Sequence, residues 1–145
     1  MFRWDITGGR KDMKNTFIVL LTLCLASCSS YKLANTVWVN VTETELAGKK
    51  GNVFTSLYFM EEDQMCINTS VEQDSSMLIP PVVTSSGTYK NKGNLAKGVK
   101  LELNLVDNYG LKETKNGLIT KDAMYLFETD SIARVYKKVS NLKLK

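Results

Sequence analysis

The side chains able to do chemistry in this chain are few. Its 145 residues contain no histidine and only three cysteines, Cys24, Cys28 and Cys66. Without histidine, neither a Ser-His-Asp nor a Cys-His nucleophile system can be assembled, and the commonest metal ligand is missing. Glu61-Glu62-Asp63 gathers three carboxylates. A hard cation such as calcium takes roughly six to eight oxygen ligands, so a solvated turn accounts for the run better. Carboxylate pairs of the glycosidase type form in space rather than in sequence, and nothing here points to one. The sequence therefore assigns no catalytic residue, metal ligand or cofactor. What remains is the thiols, and their neighbours separate them.

Cys24 and Cys28 close an apolar run that starts at Phe17 and ends at Leu25. Ahead of it, residues 1–16 carry Arg3, Arg10, Lys11 and Lys14 against Asp5 and Asp12. Phe17 to Leu25 would make a helix of only about 13 Å, where a membrane span needs roughly 20 apolar residues. A basic flank, a short apolar helix and small residues behind it make a secretory signal. Leu25-Ala26-Ser27-Cys28 resembles the lipobox of bacterial lipoproteins. That resemblance implies cleavage after residue 27, diacylglycerol on the Cys28 sulfur and a fatty acyl group such as palmitate on the new amino terminus. Cys24 competes, but bulky Leu23 precedes it. At about 0.8 kcal/mol per buried methylene, several acyl chains hold a protein firmly on a bilayer. Met13-Lys14 would itself make an ordinary signal start, so residues 1–12 read as an upstream, misassigned start. Cys28 is followed by Ser29-Ser30-Tyr31-Lys32, with no aspartate and no acidic stretch. By analogy with Gram-negative lipoproteins, this implies an outer-membrane, periplasm-facing position in the cell envelope.

Residues 28–34 then form a lipidated tether and 35–145 the folded domain. Removing 1–27 takes away four basic and two acidic residues from the 19 and 15 of the whole chain, leaving a net charge of +2. So small a charge gives no electrostatic footprint for nucleic acid. Period-2 alternation dominates this part, most clearly in Val99-Lys100-Leu101-Glu102-Leu103-Asn104-Leu105, and predicts strands with one buried face. The expected strands are 35–42, 53–60, 64–72, 82–90, 98–106, 111–120, 122–128 and 131–139. Turns are expected at 48–52, 61–63, 107–110 and Asn116-Gly117. Pro80-Pro81 cannot donate ladder hydrogen bonds, so Met77 to Pro81 reads as a loop or lid. The fold class is all-β: a small antiparallel up-and-down barrel of about eight strands behind an N-terminal signal-peptide helix.

Asn35-Thr36-Val37-Trp38 opens the first strand and Ile132-Ala133-Arg134-Val135-Tyr136 lies in the last. In this the domain resembles the lipocalins and their calycin relatives, with Thr36 standing where that family has glycine. Gly87-Thr88-Tyr89 followed by Gly93-Asn94-Leu95 is similar to small lipocalin-like bacterial lipoproteins. The resemblance implies that Arg134 packs over the Trp38 indole and closes one end of the barrel, a cation–π contact of roughly 0.5–2 kcal/mol. With Cys28 acylated, Cys66 has no partner for a disulfide, and a buried, inert thiol is expected there. Asp130-Ser131-Ile132 is similar to an O-glycosylation motif of some envelope proteins, which makes Ser131 a candidate acceptor.

Two functions follow from different classes. One is a non-catalytic binder of a small apolar ligand, with Tyr58, Phe59, Tyr89, Tyr125 and Phe127 as candidate lining residues, although aromatics at strand spacing also serve as plain core. The other is a structural lipoprotein that docks on an envelope protein complex or inhibits an envelope enzyme. A cavity in the roughly 300–1,000 Å³ range of ligand pockets favours the first; a filled interior favours the second.

Overall fold

The computed structural model describes residues 31–139. The signal segment and Leu25, Ala26, Ser27 and Cys28 lie outside the described residues. The strands are β1 (Thr36–Leu46), β2 (Lys49–Phe59), β3 (Gln64–Gln73), β4 (Ser76–Asn94), β5 (Gly98–Asp107), β6 (Lys112–Ile119), β7 (Met124–Thr129) and β8 (Ile132–Val139). They follow one another in order around a closed barrel, every neighbouring pair antiparallel. This is the all-β, up-and-down barrel expected from the alternation, and it is consistent with a lipocalin-like barrel.

Several local expectations are corrected. The turn expected at 48–52 is instead the two-residue turn Ala47-Gly48, with φ of 52° and 76°. Asp74-Ser75 turns the β3–β4 hairpin in the same way, with φ of 50° and 59°. Positive φ at both central residues matches the right-handed twist of the flanking strands, so β1 and β2 run on to the turn. Asn116-Gly117 is not a turn but lies within β6, where Gly117 pairs with both Leu101 and Leu126. A Cβ there would come within 2.6 Å of the Tyr125 carbonyl oxygen, so close strand approach selects this glycine. Met77 to Pro81 is not a loop either, since β4 is continuous from Ser76. Its pairing with β5 begins only at Ser85. Pro80 and Pro81 therefore stand on a free edge, where no second neighbour asks for their N–H groups.

The closed end contains the turns after β2, β4 and β6. Trp38, Leu57, Phe59, Met65, Val99, Leu103, Ile119 and Met124 fill it, each at most 2% exposed. Fully burying one such aliphatic side chain contributes about 1.5–3 kcal/mol. Leu33, from the predicted tether, joins them at 1% exposure. Asn91 donates to the Tyr31 carbonyl at 2.7 Å, which holds the segment before β1 against the closed end. At the other end the turns after β1, β3, β5 and β7 leave the barrel open.

Candidate functional site

Inward-facing positions change character halfway along the barrel. Beyond Leu105, Leu126 and Tyr136 they carry Thr55, Thr69, Ser85, Glu113, Lys115, Glu128 and Arg134, around a cavity of about 200 Å³. Lys115 Nζ reaches Glu113 at 3.3 Å and Glu128 at 3.6 Å, while Arg134 Nε reaches Glu128 at 3.4 Å. A second cleft of about 340 Å³ adjoins it and shares Ser85, Leu105 and Glu113. These ion pairs are partly solvated, so each is worth at most about 1 kcal/mol. An apolar ligand entering here would strip water from two cations and two carboxylates with nothing to replace it. Burial pushes the Tyr136 phenol up, further than the neighbouring Arg134 pulls it down. Tyr136 thus stands neutral at the boundary between the dry half and the wet one.

The predicted closing pair is not brought together. Trp38 lies opposite Lys138 in the β1–β8 ladder, four residues along β8 from Arg134, or about 13 Å of strand. Arg134 points into the wet half and pairs with Glu128 instead. The indole N–H of Trp38 donates to the Thr36 hydroxyl at 3.0 Å, and that hydroxyl donates to the Leu33 carbonyl at 2.6 Å. Thr36, at the position of the family's glycine, therefore ties down the tryptophan and the incoming chain together.

The five candidate lining aromatics divide. Phe59 and Tyr89 point inward and pack edge to face with centroids 5.0 Å apart; both are core, at 2% and 3% exposure. Tyr89 also donates its hydroxyl to the Met60 carbonyl at 3.1 Å. Tyr58, Tyr125 and Phe127 alternate with the inward residues Leu57 and Leu126 and so lie on the outer face. Cys66 is also on that outer face, half-buried beside Tyr58, and desolvation holds its thiol above the ordinary range. Ser131 is exposed in the two-residue turn between β7 and β8. Among the described residues no group of three or more His, Cys, Asp or Glu side chains is arranged to hold a metal ion.

Part of the open half is apolar on its outside. Tyr125 pairs with Val135, and Val41 with Phe54. The Asn40 amide, donating to the Val135 carbonyl at 2.8 Å, links the two pairs where β1 and β8 splay. The larger surface is the β3–β4 hairpin. From Ser76 to Thr84, β4 runs past the last β5 pair, and Met77, Leu78, Ile79, Val82 and Val83 are 45–59% exposed. Monomeric soluble proteins rarely expose so contiguous an apolar ribbon without a use for it. Sequence reasoning missed it because Pro80-Pro81 broke the strand pattern; the uncharged run from Ser75 to Tyr89 was the available signal. It missed the ion network too, since Glu113, Lys115, Glu128 and Arg134 meet only when β6, β7 and β8 come together. No protein-family model, curated protein or solved structure matches the chain, so the site rests on its own geometry.

Proposed function

We propose that this chain is a lipid-anchored, non-catalytic interaction protein of a bacterial cell envelope, docking on an envelope protein through the open end of its barrel. Of the two functions read from the sequence, this is the second. The observation that carries it is the inversion just described. The dry half of the interior is filled, the wet half is lined by charged side chains, and exposed apolar side chains such as Val41, Met77, Val83 and Phe127 lie outside. The anchor is Cys28, acylated after removal of residues 1–27, and the outer membrane, periplasmic side, is the location that the lipobox resemblance implies. Tyr31 is fixed at the closed end and follows Cys28 by three residues, a reach of about 10 Å. An acyl anchor at Cys28 therefore keeps the closed end near the bilayer and points the hairpin away from it.

Two experiments test this reading. Cys28→Ser should move the protein from the membrane to the soluble fraction; continued tight attachment contradicts the anchor. A photo-crosslinking side chain at Met77, introduced in the native envelope, should give a discrete protein adduct, whereas one at Lys100, near the closed end of the neighbouring strand β5, should not. Equal adducts from both positions, or none from Met77, contradict docking by the hairpin.

A further inference from the structure

The apolar hairpin does not stand alone at the rim. Beside it, at the tips of β1, β2 and β3, lies an open cleft of about 480 Å³ lined by Glu43, Glu45, Glu72 and Asp74. Lys50 is the one cation in that lining. Lys49 reaches Asp74 at 3.2 Å, but both side chains are more than 60% exposed, so water screens the pair and the cleft stays acidic. Glu72 pairs directly with Met77 of the hairpin, and Ser75 in its turn lines the cleft, which makes the two surfaces one continuous patch.

We propose that this rim docks a partner protein whose contact surface is apolar at its centre and basic, rich in lysine or arginine, at its edge. The inference rests on the docking reading and adds the partner's chemistry. Charge complementarity selects that partner, because like charges facing each other across an interface are repelled. A second copy of this chain would bring the same four carboxylates to the contact. An anionic lipid surface would be repelled for the same reason. Addition of a partner strand to the β4 edge is blunted: Pro80 and Pro81 have no N–H to give, and the Val83 carbonyl already accepts from the Asn108 amide at 2.9 Å. The partner therefore meets side chains, with its apolar centre on Met77 and Val83, which share the outer face with their ladder partners Glu72 and Asn68, and its cations over Glu43 and Glu45.

The test uses the mature acylated protein in phosphatidylcholine nanodiscs, with empty nanodiscs as the baseline. The probes are two amphipathic helical peptides with the same apolar face, one with lysine and one with glutamate on the polar face. The lysine peptide should bind about tenfold tighter than the glutamate peptide, and added salt should erode the difference. Glu43→Lys with Glu45→Lys should abolish that preference. Glu62→Lys with Asp122→Lys, the same charge change in exposed turns at the closed end, should leave it intact. Equal binding of the two peptides, or equal effects of the two charge variants, overturns the proposal. Met77→Ser with Val83→Ser separates it from the docking reading. If that variant weakens both peptides while charge proves irrelevant, docking stands and only the partner's chemistry is wrong. If the variant binds both as before, docking falls too. Self-association of the protein through the hairpin, without peptide binding, also overturns the proposal by naming a second copy as the occupant.

Discussion

At the closed end of the barrel, Trp38, Leu57, Leu103 and Met124 turn inward and are at most 2% exposed, while Lys90, Lys100 and Glu102 turn outward. At the open end the inward positions hold Thr55, Lys115, Glu128 and Arg134, and the outward ones hold Val41, Phe127 and Val135, all exposed. The strands and their pleat are the same, but at the open end charged side chains enter the interior and exposed apolar ones appear outside. A barrel that worked as a carrier of apolar molecules would keep its apolar face inward to the mouth. Here one half of the chain's apolar surface supplies stability, and the other half is left for something outside the barrel.

The comparison is sharpened by substitutions whose effects should differ between the two halves. The largest effect is expected at the waist. A Cβ on Gly87 would overlap the Asn104 carbonyl oxygen on β5, so Gly87→Ala should cost about 3 kcal/mol or more, seen as a drop in Tm or loss of a cooperative melt. Next, Leu103→Ala in the dry half should cost about 2–5 kcal/mol, measured by urea unfolding. Thr36→Val should cost about 1–3 kcal/mol, because it strands the buried Trp38 N–H. The smallest effect is expected in the hairpin, where Met77→Ser should shift stability by about 0.5 kcal/mol or less while weakening docking. A Met77→Ser loss as large as that of Leu103→Ala would erase the distinction between the halves.

A pH scan probes the boundary. The Tyr136 and Tyr89 phenols are both raised above 10.0, chiefly by burial. A native state that favours the neutral phenol is fully stabilised below the unfolded value and loses that stabilisation as pH rises through the folded one. Stability should therefore fall above about pH 10, and Tyr136→Phe should make the fall shallower. An unchanged alkaline profile in Tyr136→Phe would show that the phenol is not held in the dry half.

The eight strands were legible because alternation such as Val99 to Leu105 reports directly on a pleated, half-buried sheet. Turn positions were legible only where loop chemistry was unambiguous, as at Glu61 to Asp63 and Asp107 to Gly110. Gly117 misled because glycine serves both a turn and a close strand approach, and only the distance to Tyr125 tells them apart. Which face was the inside was hardest to read. Tyr58, Tyr125 and Phe127 look like core by residue type, but their register sets them one position away from Leu57 and Leu126, and a shift of one residue reverses the face. The docking surface was hidden for the same reason, since Pro80-Pro81 reads as an interruption until β5 is seen to stop short of it.

Native mass spectrometry of the protein released from its own membranes tests most directly whether the outside of the barrel, rather than its interior, does the work. The account expects the mature chain with its covalent acyl groups and no further small molecule. A stoichiometric apolar compound retained by the barrel would contradict it.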